Sequence, residues 1–204
     1  MSSPLPALVS ISPATGEMTG RTRRYEKRYN DLAGLFFDEA AFAKLARTRG
    51  SEVAYCVDEF RPSERAGDVI FGTSTLQPGR VGQEFLFTRG HIHAKSDRPE
   101  IYACQSGRGV MLMELLDGTV RAEEMVPNSI VYVAPYWIHR SVNVGSEPLV
   151  TLFCYPADAG QDYGIIGRAG GMRVLIVDDG AGGWAQAPNP RYRGRGAERL
   201  DGAA

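Results

Sequence analysis

The chain has 204 residues, 43% of them hydrophobic and 23% charged, and its 23 basic and 24 acidic side chains leave a net charge of −1. That length fits one domain with extensions and is enough to bury a sizeable core. The near-neutral balance supplies no global field for nucleic acid or an anionic membrane, and no apolar run approaches the roughly 20 residues of a membrane-spanning helix.

The N-terminus lacks a charged-then-apolar signal pattern, so a cytoplasmic protein is expected. Cys56, Cys104 and Cys154 are odd in number, widely spaced and set in apolar stretches. Reduced core thiols follow, rather than a disulfide framework or a Cys-x-x-Cys site.

In chain order, residues 1 to about 20 hold Pro4, Pro6, Pro13 and Gly16 around the apolar piece 8–11, which predicts an arm with one edge strand. Residues 21–28 are rich in arginine, with Tyr25 among them. Given the neutral whole, they read as a solvated face or surface strand and not as a nucleic-acid patch. Phe42, Leu45 and Ala46 stand at helical spacing after Asp38, a good N-cap, and before Gly50, a natural stop. One short amphipathic helix packed outside a sheet is expected there.

From residue 52 the texture changes to short apolar runs, 53–57, 68–76, 85–88, 100–104, 109–116, 120–125, 129–133, 139–144 and 149–155. Gly, Pro, Asn and Asp separate them, with Asp117-Gly118 at a hairpin tip. Many short strands at close spacing argue for an antiparallel sandwich or barrel. A last hairpin over 172–177 and 183–187 follows. The arginine-rich end, 191–204, reads as a disordered tail. The expected organisation is therefore an N-terminal arm with a short helix over 1–50, a barrel over 51–190 and that tail.

The chain contains three histidines, all in two places. In extended chain, side chains two apart share a face, so His91 and His93 can direct two imidazoles at one point. Glu100 follows after a six-residue interval of turn-like composition that could return a carboxylate to that point. His139 would arrive from a separate strand. Three imidazoles and one carboxylate suit a divalent first-row metal such as Fe, Mn, Ni, Co or Zn, with positions left open for substrate or water.

The pattern resembles the cupin superfamily, a single all-β jelly-roll-like barrel. Glu100 is followed by six residues and then Gly107, and His139 by three residues and then Asn143, as in the two cupin motifs. The general first motif has three or four residues between its second histidine and its glutamate, whereas six stand here. Together with the segments 90–95, 132–140 and 155–164, this interval makes the chain similar to the cupin-type phosphoglucose isomerases of archaea and some bacteria. The similarity runs from about Arg21 to Arg191 and is densest over 88–164.

The resemblance implies a metal-dependent interconversion of glucose 6-phosphate and fructose 6-phosphate in a cytoplasmic homodimer, with no nucleic-acid or membrane partner. It implies one divalent metal, Fe2+ first and Mn2+, Ni2+, Co2+ or Zn2+ next, held by His91, His93, Glu100 and His139, with Glu100 as the proposed base. Ser74, which stands where the family usually has threonine, with Thr88 and Gly90, would meet the substrate phosphate. Tyr102, Tyr136, Tyr155 and Tyr163 would line the sugar site. Gln161 is a departure, because some members carry histidine at the matching place. Two other readings stand beside this one: another metal cupin enzyme such as a small-substrate dioxygenase, and a non-enzymic sugar-binding cupin.

Overall fold

The computed structural model describes residues 6–20 and 22–196. The chain begins with a small hairpin, β1 (Ser10–Ile11) and β2 (Met18–Thr19), then strand β3 (Arg23–Arg28), a 3-10 turn at Tyr29–Leu32 and helix α1 (Glu39–Arg49). Strands β4 (Val53–Phe60), β5 (Val69–Leu76), β6 (Arg80–Val81), β7 (Glu84–Phe85), β8 (Glu100–Ser106) and β9 (Gly109–Glu114) follow. Next come β10 (Val120–Met125), β11 (Ile130–Val133), β12 (Ile138–Asn143) and β13 (Leu149–Pro156). A single helical turn α2 (Ile165–Arg168) and the hairpin β14 (Val174–Asp178) and β15 (Trp184–Pro188) complete the described chain.

The first turns of α1 are made by its sequence. The Asp38 carboxylate accepts the Ala41 N–H at 2.8 Å, an N-cap worth about 1 kcal/mol. At the other end the Gly50 N–H reaches the Ala46 carbonyl. A Cβ at Gly50 would lie 2.3 Å from that carbonyl and from Asn30 Oδ1, so only glycine closes this helix against the turn beside it.

All strand pairs are antiparallel. A six-stranded sheet runs β11-β8-β13-β5-β4-β3, and a three-stranded sheet runs β10-β9-β12. Residues 86–92 are not a regular strand, which corrects the expectation over 85–88 beyond Phe85; instead isolated bridges Phe87 to Val142 and His91 to His139 lay this segment along β12. The smaller sheet is thereby continued up to the segment that carries the histidines. Further on, Ile92 bridges Asp162. At the β9–β10 tip Gly118 takes φ of +85° and Thr119 N–H is accepted by Asp117, which is the turn chemistry that Asp-Gly supplies.

The sheets share one buried cluster that includes Phe87, Met111, Ile138 and Leu149. β11 alternates exposed and buried residues, as a strand with one wet face must, whereas β9 and β12 are buried along their whole length. Tyr29, Leu32, Phe36 and Phe42 of the N-terminal part join the same cluster. No helix among the described residues is long and apolar enough to cross a membrane.

The end of the chain departs from the expectation of a disordered tail as far as it is described. Arg195 is 3% exposed and donates through Nε to Glu114 of β9 at 2.7 Å, and Arg191 donates to the Phe36 carbonyl. Glu114 is itself fully buried, and a buried carboxylate holds in place the cation that neutralises it. The reading of residues 1–5, 21 and 197–204 lies outside the described residues.

Candidate active site

His91 and His139 face one another through a reciprocal backbone bridge, His91 N–H to His139 O at 3.1 Å and His139 N–H to His91 O at 2.9 Å. Their ring centroids are 4.5 Å apart. Glu100 opens β8, and one oxygen of its carboxylate, Oε2, lies 3.0 Å from His139 Nε2, 3.2 Å from His93 Nε2 and 3.6 Å from His91 Nε2. All four side chains are buried.

The outer face of two of these rings is pinned. His93 Nδ1 lies 2.7 Å from the Arg98 carbonyl and His139 Nδ1 lies 3.1 Å from the Trp137 carbonyl. A carbonyl only accepts, so each Nδ1 carries a proton and each Nε2 is the nitrogen that faces Glu100. The loop that supplies the Arg98 carbonyl is itself held, since Arg98 and Lys95 both pair with Asp158.

His91 Nε2 and His93 Nε2 are buried without a hydrogen-bond partner. Such atoms are costly unless something satisfies them. Burial first, and then His139, pulls the His91 imidazole down to about 4, so at neutral pH it is an uncharged donor. Ligand atoms of His91, His93 and Glu100 lie within 4.8 Å of one another. Imidazoles around one carboxylate, two of them with the second nitrogen fixed by a carbonyl, are the donor set of a divalent metal.

Beside this cluster opens a cavity of about 160 Å3. Ser74, Thr88, Gly90, Tyr102, Tyr155 and Tyr163 line it together with His91, Glu100 and His139. His93 stands behind them, outside the lining. Tyr136 is the exception among the expected sugar-site residues. It sits in the turn before β12 with φ of +73°, its N–H given to the Ser96 carbonyl, and it is not part of the cavity wall.

Gly90 has a strict steric reason. Its φ is +74°, and a Cβ there would lie 2.7 Å from the His139 carbonyl and 2.8 Å from Arg140 Cβ. Thr88 Oγ1 accepts the Ser141 N–H at 3.1 Å, which leaves its own proton to donate into the cavity. Burial, then the Glu100 charge, holds the Tyr102 hydroxyl well above its ordinary range, so it remains a donor.

Sequence reasoning missed one whole wall. Tyr55, Val57, Glu59 and Arg61 alternate along β4 and its continuation and all reach the cavity. Period-2 spacing was the available signal, but the run was ended at Val57, where charge begins. Glu59 and Arg61 form an ion pair at 3.0 Å, and Arg61 also donates to the Tyr155 hydroxyl at 3.4 Å. Arg140 and Ser141, next to His139, also line the cavity and were not anticipated.

The family model described as glucose-6-phosphate isomerase (GPI) matches residues 26–193. The chain belongs to that family. Within it, the chain is 56% identical to the glucose-6-phosphate isomerase of Sinorhizobium medicae over 96% of this chain and 91% of the relative. It is 45% identical to that of Thermococcus gammatolerans over 90% and 95% of the two chains. The enzyme of the same name from Pyrococcus furiosus is 40% identical over 91% and 96%. As a member of the glucose-6-phosphate isomerase family, the chain carries Gln161 in the cavity wall, where its amide oxygen accepts the Tyr163 hydroxyl. An amide there adds hydrogen bonding but no titratable group.

Proposed function

We propose that the chain is a metal-dependent glucose-6-phosphate isomerase that interconverts glucose 6-phosphate and fructose 6-phosphate. The observation that carries this reading is the convergence of three imidazole Nε2 atoms on one Glu100 oxygen at the wall of a polar cavity.

His91, His93, Glu100 and His139 would hold one divalent metal, with Fe2+ first and Mn2+, Ni2+, Co2+ or Zn2+ as other occupants. When bound, it supplies Lewis-acid stabilisation of charge on the sugar O1 and O2. Ser74, Thr88 and Gly90, which line the cavity, would together receive the phosphate, Thr88 through its hydroxyl. Tyr102, Tyr155 and Tyr163 would orient the sugar hydroxyls and exclude water.

Moving the carbonyl between C1 and C2 requires a hydrogen to leave one carbon and arrive on the other, as a proton in this reading, with a hydride shift as the rival route. Glu100 is the carboxylate placed to carry it, through a cis-enediol. A carboxylate held tightly by a metal is a weak base, so as the base Glu100 would be a loose ligand.

The barrel over 51–190 with its N-terminal arm would form this unit, in a cytoplasmic homodimer. Support for self-association is an exposed apolar strip, in which Ile130 and Tyr132 of β11 lie beside Ile101 of β8, the last two in direct register. Sedimentation of the wild type and of I130E/Y132E checks it: the double variant should be a monomer.

The deciding experiment is a coupled assay of fructose 6-phosphate isomerisation with and without a chelator, followed by refilling with single metals. Turnover that is lost to the chelator and restored by Fe2+ or Mn2+ is the expected result. No turnover with any of the five metals would end the enzymatic reading, and oxygen consumption in its place would point to a dioxygenase.

A further inference from the structure

Two cations line the cavity, Arg61 and Arg140, and they differ in how their charge is met. Arg61 holds both oxygens of Glu59, at 3.0 and 3.3 Å, so its charge is cancelled where it stands. Arg140 is 4% exposed. Its Nη2 donates to a neutral group, the Arg89 carbonyl at 3.1 Å, and the guanidinium lies over the Phe87 ring at 4.1 Å. Its Nε has no partner among the described residues.

A buried guanidinium without a counter-charge is costly to the fold, and so is a buried N–H without an acceptor. Arg140 combines both. The acid that acts on it most strongly is Glu84, and burial keeps that carboxyl up at about 7, so it offers only partial compensation at neutral pH. The unmet charge has a definite place: the side chain runs along the 87–90 segment, between the Phe87 ring and the Arg89 carbonyl. Thr88 and Gly90 of that segment line the cavity with Ser74 and Ser141. Hydroxyls and a glycine can shape a pocket for a dianion but carry no charge to balance it.

We propose that Arg140 is a phosphate-binding residue of this site, its positive charge being met by the phosphate of the sugar substrate. The assignment rests on the sugar-phosphate reading above and adds the cation that the hydroxyl-and-glycine cradle lacks.

The test uses metal-loaded wild type, R140M and R140K, with metal content measured in each. Binding of inorganic phosphate, fructose 6-phosphate and fructose is followed by calorimetry. R140M should bind inorganic phosphate and fructose 6-phosphate at least tenfold more weakly at unchanged metal content, R140K should recover part of that loss, and the affinity for fructose should not fall with it. Phosphate binding to R140M at wild-type strength overturns the role of Arg140, and so does an equal loss for fructose, which marks a merely structural contribution. A wild type that binds fructose as well as fructose 6-phosphate instead overturns the sugar-phosphate reading itself, and the Arg140 assignment with it. Should the variants not fold, the crystal structure of the wild-type holoenzyme with inorganic phosphate decides: a phosphate oxygen within hydrogen-bond distance of the Arg140 guanidinium supports the assignment, and a phosphate seated elsewhere overturns it.

Discussion

His139 Nε2 lies 3.0 Å from Glu100 Oε2, although 39 residues separate the two in the chain. Burial of Glu100 favours its neutral acid, but the surrounding imidazoles, with His139 Nε2 in hydrogen-bond contact, outweigh it and hold the carboxyl well below the usual carboxylate range. Either a proton or a metal ion between these atoms satisfies both partners. Metal uptake should therefore release protons.

Replacing Glu100 with glutamine separates ligation from proton transfer. The amide oxygen keeps the position of one ligand atom, but the side chain can no longer accept the substrate proton. E100Q should retain much of its metal and lose about 100- to 10,000-fold in kcat, the usual worth of a positioned acid–base group. Activity near wild type would remove Glu100 from the role. For the wild type, turnover in deuterated water should place solvent deuterium on carbon; product free of deuterium would point to a hydride shift.

His139→Ala should lose the metal itself. A ligand that binds only the folded state at about 1,000 times its Kd stabilises by about 4 kcal/mol. Wild type should therefore melt at a lower temperature after chelation, whereas H139A should melt alike with and without chelator. Elemental analysis showing full occupancy in H139A would count against its place among the ligands.

Glu84 gives a pH dependence of opposite sign to the usual carboxylate. It is 5% exposed, and burial raises it from 4.5 to about 7, opposed by the bond from the Phe37 N–H and by Arg140. The folded state thus binds the proton more tightly than the unfolded chain. Its contribution to stability is complete below about 4.5 and is lost as pH rises through about 7, in total on the order of 3 kcal/mol. In E84Q, where the amide oxygen still accepts from Phe37, that part of the slope in urea unfolding between pH 5 and 8 should vanish.

Arg195→Ala tests the packed end of the chain. Glu114 would keep the Tyr192 hydroxyl and the Arg173 N–H but lose its charged partner. Breaking a buried ion pair from one side costs about 3–5 kcal/mol. Denaturant unfolding should register that loss; a change under about 0.5 kcal/mol would show the pairing to be incidental.

Local rules carried the reading of the elements far. Asp38 and Gly50 bound α1 as their capping chemistry requires, and Asp-Gly at 117–118 makes the hairpin tip. Eight of the nine anticipated apolar runs correspond to regular strands of the structure. The run at 85–88 is regular strand only at Phe85, and Phe87 pairs through an isolated bridge, which no alternation pattern encodes. Tyr136 failed because a left-handed turn takes it away from the cavity that its neighbour His139 enters.

What the sequence by itself determined is the inventory of the site: three histidines in two motifs, and a glutamate that follows the second of them after a six-residue interval. Those follow from spacing and from residue chemistry, both of which are local. What only the tertiary structure decided is which charges are cancelled and which are not. Arg61 is neutralised by a residue two positions away, Arg195 by one 81 positions away, and Arg140 lacks such a partner among the described residues. The energy of a buried charge depends on the atoms packed around it, and these come from strands whose sequence separation carries no trace of their contact.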